Sequence, residues 1–443
     1  MADAPLVLPS LPSPARNPTP PLIFIRHPGY GECNGEDILL ELPAVDYLVV
    51  EPSSQVRTWG LHHGTAIIAC GIVANNTFDD IYFSYDLYGQ QRVRTPRDGL
   101  LKPGDYWLQL TGREPPPDVA ADSVAHISAT CSPSPAPGDK CYRYPIVPSF
   151  QDWQFPHGKL PYEWQQPHNP PNPPPPTDQV ANRCFLTDLQ IGVEECHVIP
   201  SAQQKWFIQN QMRRYCHTSA GMKIDDKANM LSLMAHFRVA FDNHLFIIIP
   251  KPSAGSPSSS LSLSTTIAEP TSRAEPRPYA FATHFLSNIP EACDFANLYH
   301  NVSIQTKYIN TLSREFLFAR FAWALFSCLR GFLLESTVCR HLVVSEGNKV
   351  TNKWMNSQQY KKHLALRGES VPTSKRRRGD LNSQNRLSDG EDNAYEERKR
   401  HSARRESVLS NYDWGSSDRG RSIHRDTPSE PDADADTDED LPG

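Results

Sequence analysis

The residues best suited to chemistry lie between positions 183 and 244. Two short β-prone segments, around 183–188 and 193–200, come first, and His197 lies near the end of the second. A loop then leads to Asn229 and to a predicted helix that carries polar residues four positions apart. Because residues i and i+4 share one face of a helix, this spacing favours a small hairpin-plus-helix that can hold a metal ion. The polar residues after Asn229 are His236, Arg238, Asp242 and His244.

This stretch resembles the HNH endonuclease family, in the variant that is common in fungal proteins. The resemblance extends to flanking segments and covers most of residues 22–340. The matching features are a Cys-x-x-Thr start at 184–187, a His-Val-Ile-Pro run at 197–200, Asn229, the pair Phe241-Asp242, a β-like run at 243–251, and accompanying segments at 26–30 and 315–323.

The resemblance implies a ββα-metal fold that hydrolyses phosphodiester bonds in nucleic acid, with DNA as the expected substrate. It implies that His197 is the general base, a role that suits imidazole because it accepts a proton near neutral pH. It also implies that Asn229 fixes the loop that orients His197. One divalent cation, Mg²⁺ or Mn²⁺, would neutralise charge on the scissile phosphate.

One position departs from the family pattern. Nine residues after Asn229, where the family has a histidine, this chain has Arg238. Arginine stays protonated and offers no lone pair to a cation, although it can hold a phosphate with two hydrogen bonds. Asp242, one helical turn further on, is the favoured replacement metal ligand, because carboxylate oxygen suits these ions. His236 is the other predicted metal ligand, although it lies roughly 200° around the helix from Arg238, and His244 is a further alternative.

Basic side chains near the predicted site are candidates for contact with nucleic acid. They are Lys205, Arg213 and Arg214, together with Arg238. Residues 181–251 hold eight Lys or Arg and six Asp or Glu, a net charge of +2. So small an excess predicts modest affinity for DNA, because binding grows with the number of phosphates neutralised. A solvated helix face is the alternative explanation of the cluster.

The elements around this site predict an α+β protein of unlike segments in series. Short apolar or alternating runs, including 65–74, favour strands in the first third, whereas helical spacing from Leu312 to Leu333 predicts a packed helix. The predicted divisions are a disordered start at 1–21, a β-rich N-terminal domain at 22–155, a Pro-rich linker at 156–180, the HNH-like module at 181–251, a Ser/Pro-rich flexible insertion at 252–278, a helical region packing on the module at 279–366, and a disordered tail, basic then acidic, at 367–443.

Composition narrows the class of protein. Only 38% of residues are hydrophobic and 41 are proline, so a sizeable part of the chain cannot pack. The ten cysteines form no CxxC pair, which argues against a zinc ribbon or a small disulfide scaffold and favours a reducing intracellular compartment. The apolar stretch 315–335 is interrupted by Arg320 and Arg330, which predicts a core helix and no contact with a membrane.

The tail bears on location and partners. Lys375, Arg376, Arg377 and Arg378 form a basic run of the kind that nuclear import receptors bind. The first 21 residues lack the charged start and apolar stretch of a secretory signal. A nuclear location is therefore predicted, with the cytoplasm as the alternative and secretion excluded.

Three hypotheses follow. The first is a metal-dependent HNH-type endonuclease or its descendant, based on His197, Asn229 and Asp242. The second keeps the fold without hydrolysis, as a regulatory module that binds nucleic acid or protein, and is based on Arg238. The third treats 181–366 as a structural core that binds no ligand.

Overall fold

The structure is a computed structural model that describes residues 19–31, 35–49, 57–111, 143–165, 182–217, 223–253, 279–347 and 349–367. All of these belong to one compact unit, Met1–Pro372. Most of the predicted 1–21 and 252–278 segments, most of the linker and the tail from 368 onward lie outside the described residues. The predicted import signal at Lys375 to Arg378 lies outside them as well.

The described strands form five small sheets. A four-stranded sheet has the order β2-β1-β7-β5, a three-stranded sheet has the order β3-β4-β6, and three further strand pairs are antiparallel. The strands are β1 Leu22–Arg26, β2 Ile38–Pro43, β3 Asp46–Val49, β4 Arg57–His62, β5 Ile81–Ser84, β6 Leu100–Leu101, β7 Gly104–Leu110, β8 Val193–His197, β9 Met230–Met234, β10 Phe246–Pro252, β11 Tyr279–Phe285, β12 Arg340–Glu346 and β13 Lys349–Met355.

The helices complete an α+β fold, as the sequence predicts. Buried residues from Ile23 to Leu364 belong to one continuous hydrophobic core. The helices are α1 His63–Val73, α2 Tyr162–Gln165, α3 Gln204–Gln209, α4 Ala235–Asp242, α5 Pro290–Tyr299, α6 Thr306–Ile309, α7 Arg314–Phe326, α8 Arg330–Leu334 and α9 Ser357–Leu366.

Helix α7 lies in the middle of this core. Ser313 caps its N-terminus, because the Ser313 side chain accepts a hydrogen bond from the Phe316 N–H. The helix packs against α1 and β10. Its Phe318 ring lies 5.0 Å from Trp164 and 6.0 Å from Trp153. By length and composition alone Arg314–Leu334 could cross a membrane, but 67% of its most apolar window is buried inside the protein. The predicted core helix is confirmed.

One predicted strand is wrong. The run 65–74 lies in helix α1, and every residue of that helix is buried. A short apolar run that is buried on all sides lacks the alternation that distinguishes a strand, so its periodicity cannot separate the two structures. The start of the helix favours this structure over a strand, because the His62 side chain accepts a hydrogen bond from the Thr65 N–H and caps the first turn.

The region after α8 also differs from the predicted helical region. Strands β12 and β13 form an antiparallel hairpin that turns at Gly347, whose φ is +63°. The helical spacing in the sequence ends near Leu333, and β12 is rich in β-branched valine, which favours strands. The predicted 279–366 region therefore holds helices α5 to α9 together with strands β11 to β13.

Cysteine chemistry is mixed. Cys70, Cys184 and Cys196 are free and buried, as expected for thiols used in packing. Cys339 is disulfide-bonded. The absence of CxxC pairs argues only against bonds between near neighbours in the chain, and it does not bear on the bond of Cys339.

The segment at 26–30 is held in place by the buried ring of His27. The His27 ring is fully buried, accepts a hydrogen bond from the Gly29 N–H at Nδ1 (3.1 Å), and lies 3.0 Å from the Tyr144 carbonyl through Nε2. This geometry requires the neutral ring with its proton on Nε2, because a second proton at Nδ1 would face the Gly29 N–H. Burial, aided by Arg340, lowers the pKa of His27 to about 3.

His27 should make the protein less stable in acid. Between pH 6.5 and about 3 the unfolded chain binds a proton at His27 that the folded chain does not, so the free energy of unfolding falls as pH falls, by ~1.4 kcal/mol per pH unit. Below about pH 3 this contribution stops changing. Urea denaturation at several pH values measures the slope.

The control is His27→Asn, which keeps an acceptor for the Gly29 N–H and does not titrate. It should be less stable than the wild type at pH 7, and the difference should narrow as pH falls toward 3. Equal slopes in the two proteins would contradict the assignment.

Candidate active site

The predicted site is built on the strand pair β8 and β9. His197 is the last residue of β8 and pairs with Met230, the first residue of β9. The sequence predicts that 183–188 is the strand next to β8, but that segment forms a turn closed by hydrogen bonds from Asp188 N to Cys184 O and from Cys184 N to Leu189 O. Strand β9 takes the place beside β8 because its alternating Leu231 and Leu233 pack into the core.

Asn229 closes the long loop between the two strands. Its side chain is fully buried and makes three hydrogen bonds: Oδ1 accepts from Ile199 N (2.8 Å), and Nδ2 donates to Ile199 O (3.0 Å) and Ile224 O (2.7 Å). Its backbone carbonyl also accepts from Val198 N at 2.8 Å. The two ends of the loop are thus joined immediately after His197, which fixes the direction of its backbone.

The His197 ring pairs with a carboxylate that the sequence analysis does not single out. Nε2 lies 2.8 Å from Asp225 Oδ1, and the two side chains are 24% and 69% exposed. Among the described residues Nδ1 has no hydrogen-bond partner. The signal in the sequence is the Asp225-Asp226 pair four residues before Asn229, which is easily taken for part of a solvated loop.

Arg238 is held by carboxylates on α4 and β8. Its Nη1 donates to Glu194 Oε2 at 2.6 Å, and its Nε lies 3.6 Å from Asp242 Oδ2, one helical turn away. The hydrogen bond to Glu194, with Asp242 nearby, raises the pKa of Arg238. The predicted phosphate clamp and the predicted metal ligand are therefore paired with each other.

Alternation along β8 separates this cluster from His197. Successive side chains of a strand point to opposite faces, so Glu195 and His197 share one face while Glu194 points to the other. The cation on the His197 face is Lys227, whose Nζ donates to Glu195 Oε1 at 2.7 Å. Lys227 is 75% exposed and was not among the predicted contacts to nucleic acid.

The two other predicted histidines face elsewhere. His236 is exposed, and its ring lies 6.0 Å from that of Phe295 on α5. His244 follows α4 in the left-handed backbone region (φ +59°), and its ring packs edge-on against Trp323 at 4.0 Å. Burial and the nearby Arg320 lower the pKa of His244 to about 3.

The donor set does not fit the divalent cation that the family implies, because Asp242 is paired with Arg238 and the His236 ring lies beside Phe295. No group of three described His, Cys, Asp or Glu side chains with ligand atoms within 4.8 Å of one another includes His197, His236 or Asp242. Cys196, next to His197, is buried, and burial raises the pKa of its thiol to about 12, so it remains a neutral packing group. Arg238 brings a fixed positive charge to the position of the family's helix ligand.

Arg320 fastens this region to the core. It is 1% exposed, and its guanidinium lies 3.8 Å from the Phe241 ring centre and 4.4 Å from that of Trp323. Nη1 donates to Val198 O at 3.4 Å, and Nη2 donates to Phe241 O. One side chain of α7 thus joins the residue after His197 to the end of α4. In the sequence, the sign of this structural role is that Arg320 interrupts an otherwise apolar helical stripe.

The predicted basic cluster is open to solvent. Lys205 lies on α3, and Arg213 and Arg214 lie on the short 3-10 turn Met212–Tyr215 that follows it. All three side chains are exposed. Arg214 Nη2 donates to the neutral side chain of Gln211 at 2.6 Å. This hydrogen bond leaves the positive charge of Arg214 unneutralised and open to solvent.

Comparison with known protein families matches residues 163–249 to the HNH endonuclease family. The match contains β8, β9, α3, α4 and most of β10, and therefore His197, Asp225, Asn229 and Arg238. No curated protein and no solved structure matches the chain. The match confirms the predicted family: this chain carries an HNH endonuclease family domain at residues 163–249.

Proposed function

We propose that residues 163–249 form a nucleic-acid phosphodiesterase of the HNH type in which His197 is the general base. The observation that carries the proposal is the 2.8 Å pair between His197 Nε2 and Asp225 Oδ1. It stands at the end of a strand whose following loop is fixed by Asn229. A base within hydrogen-bond reach of an orienting group is the arrangement that proton abstraction requires.

In this proposal the free Nδ1 of His197 takes a proton from the attacking water. The water oxygen forms the new bond to phosphorus while the bond to the leaving oxygen breaks, and the leaving oxygen takes a proton from solvent. Asp225 accepts the hydrogen bond from Nε2–H and stabilises the imidazolium that forms, because a carboxylate favours the charged ring. The partial exposure of His197 leaves it open to water and substrate.

The phosphate itself would be met by cationic side chains of this chain. Lys227 lies on the His197 face of β8 and is largely exposed. Lys205, Arg213 and Arg214 add exposed charge, which suits weak and salt-dependent contact with a nucleic-acid backbone. The residues at the family's cation position do not fit a divalent ion, so no step is assigned to one.

The test is cleavage of nucleic acid by the full-length protein. Supercoiled plasmid, single-stranded DNA and single-stranded RNA are each incubated with Mg²⁺, with Mn²⁺ or with EDTA. Cleavage of at least one substrate above a mock purification supports the proposal. No cleavage under any of these conditions would overturn it.

A second candidate function is binding of nucleic acid without hydrolysis. The observation that favours it is the pairing of Arg238 with Glu194 and Asp242, which fills the family's cation position with a guanidinium. A gel-shift titration on the same substrates separates the two functions. Binding that weakens with salt, without any product, would favour this candidate.

Restoring the family's histidine should create a cation site. In Arg238→His the imidazole replaces the guanidinium, and the carboxylates of Glu194 and Asp242 lose their partner. We expect the variant to bind about one more Mn²⁺ per chain than the wild type, because two oxygen donors and one nitrogen donor would then stand together. Calorimetry or Mn²⁺ electron spin resonance counts the ions.

The matched control is Lys227→His, which also replaces a cation that is ion-paired with a glutamate of β8. Only one carboxylate is released there, so no additional Mn²⁺ should bind. Equal Mn²⁺ stoichiometry in Arg238→His and the wild type would show that Arg238 does not occupy a cation position.

A further inference from the structure

A buried polar cluster lies outside the His197 site. It joins the start of β3, the end of β4, β10, β11 and the residues after α5. No two of its members from different elements are close in the sequence, so only the fold brings them together. The members are Asp46, His62, Lys251, His284, His300 and Asn301.

Asp46 is the centre of the cluster. Its Oδ1 accepts from Lys251 Nζ (2.5 Å), from His300 Nε2 (2.8 Å) and from Asn301 Nδ2 (2.9 Å). Its Oδ2 accepts from the His62 backbone N–H at 2.8 Å. Burial alone would raise its pKa, but Lys251 and His300 hold the pKa of Asp46 well below its usual value. The cluster is therefore built around a carboxylate anion.

Two histidine nitrogens of the cluster have no hydrogen-bond partner. They are His284 Nδ1 and His62 Nε2, on residues that are 1% and 5% exposed. Folded proteins pair nearly all of their buried polar atoms, and an ion is one of the few standard explanations for an exception.

Three of these side chains are placed as metal ligands. One ligand atom from each of Asp46, His284 and His300 lies within 4.8 Å of the other two. A tetrahedral ion with bonds of ~2.0–2.2 Å holds its ligand atoms roughly 3.4 Å apart. A contraction of at most about 1.5 Å would therefore close the site, which side-chain rotation can supply.

We propose that Asp46, His284 and His300 bind a divalent transition metal of the zinc class. Two imidazole nitrogens and one carboxylate oxygen suit zinc and its neighbours, whereas Mg²⁺ and Ca²⁺ prefer oxygen ligands alone. Three protein ligands leave a fourth position for water. The Lys251 ammonium already pairs with the Asp46 carboxylate. The metal ion therefore either shares this carboxylate with Lys251 or displaces the ammonium.

The experiment uses the full-length protein, stripped with a chelator and titrated with Co²⁺ and then with Zn²⁺. Cobalt reports tetrahedral coordination by visible absorption, and zinc should displace it with loss of the colour. We expect one ion per chain, and at least 10-fold weaker binding in His284→Gln and in His300→Gln. His341→Gln, which changes a half-buried histidine on β12, should bind as the wild type does.

Lys251→Met gives a result of opposite sign. Removal of the competing ammonium should tighten zinc binding and enlarge the rise in Tm that zinc produces. The absence of a cobalt spectrum in the wild type would overturn the proposal, even if a variant fails to fold. Unchanged affinity in both histidine variants would do so as well, because the ion would then be bound by other histidines.

The outcome is separable from that of the proposed hydrolysis. The cluster shares no residue with the His197 and Asp225 pair, so His197→Ala should bind zinc as tightly as the wild type. Loss of zinc binding in that variant would contradict the assignment to Asp46, His284 and His300.

Discussion

His197→Ala should lower the rate of phosphodiester cleavage by ~10²–10⁴-fold, the usual contribution of a positioned general base. Alanine removes the imidazole that takes the proton from water in the proposed mechanism. The ring is partly exposed and makes one hydrogen bond to an exposed carboxylate, so the stability of the fold should change little. Initial cleavage rates on the substrate that the wild type prefers measure the effect, with Tm as the check on folding.

Two further variants make this result specific. Asp225→Asn keeps the size of the side chain but no longer stabilises the imidazolium, and we expect ~10-fold slower cleavage with little change in KM. His217→Ala removes an exposed histidine from the same loop and should leave the rate unchanged. If His197→Ala cleaved as fast as the wild type, His197 would not be the base, and any nuclease activity would belong to another site.

Asn229→Ala should lower the free energy of unfolding by about 3 kcal/mol. The substitution removes three buried hydrogen bonds and leaves Ile199 N, Ile199 O and Ile224 O without their partner. Each buried polar group left unpaired costs ~1–3 kcal/mol, and the effects of neighbours do not simply add. Urea denaturation at pH 7 gives the value from the midpoint and slope.

Asn243→Ala is the comparison for this experiment. Asn243 follows α4 and is exposed, and surface substitutions usually change stability by less than ~0.5 kcal/mol. A loss of less than ~1 kcal/mol in Asn229→Ala would mean that the loop after His197 is held by its backbone alone. The positioning role of Asn229 would then be wrong.

Arg238 gives this HNH domain its unusual electrostatics. A permanent guanidinium stands where the resemblance to the family predicts a metal ligand, and Glu194 and Asp242 neutralise it. Because the Arg238 guanidinium already neutralises the carboxylates of Glu194 and Asp242, they need no cation from solution. A hydrolase built this way would depend less on divalent metal than its relatives, whereas a binding module would keep only the shape of the fold.

Local patterns were enough to find part of the site. His197 and Asn229 lie in one stretch of the chain, and their relation is set by one strand pair and one loop. The core helix α7 was equally visible, because its apolar residues recur at helical spacing over several turns. In each case the information lies within about 35 residues, which is the scale at which a sequence pattern constrains structure.

Partners across strands and helices were not visible in the same way. The pairing of β8 with β9, the ion pair of Arg238 with Glu194, and the contact of Arg320 with Val198 depend on which surfaces meet in the folded chain. The helix α1 was mistaken for a strand because uniform burial removes the alternation that reveals a strand. Hydrophobic periodicity shows which side of an element faces water, so it cannot distinguish a helix from a strand where every side chain is buried.

The sequence by itself determined the α+β class and the HNH family of the central segment, and it predicted His197 and Asn229 as site residues. The tertiary structure decided which groups act on that histidine, and it moved Asp242 from a predicted metal ligand to a partner of Arg238. It also brought Asp46 together with His284 and His300, which lie more than 200 residues further along the chain. The physical reason is that hydrogen bonds and charge pairs depend on distance in space, which a chain of 443 residues fixes only when its core is packed.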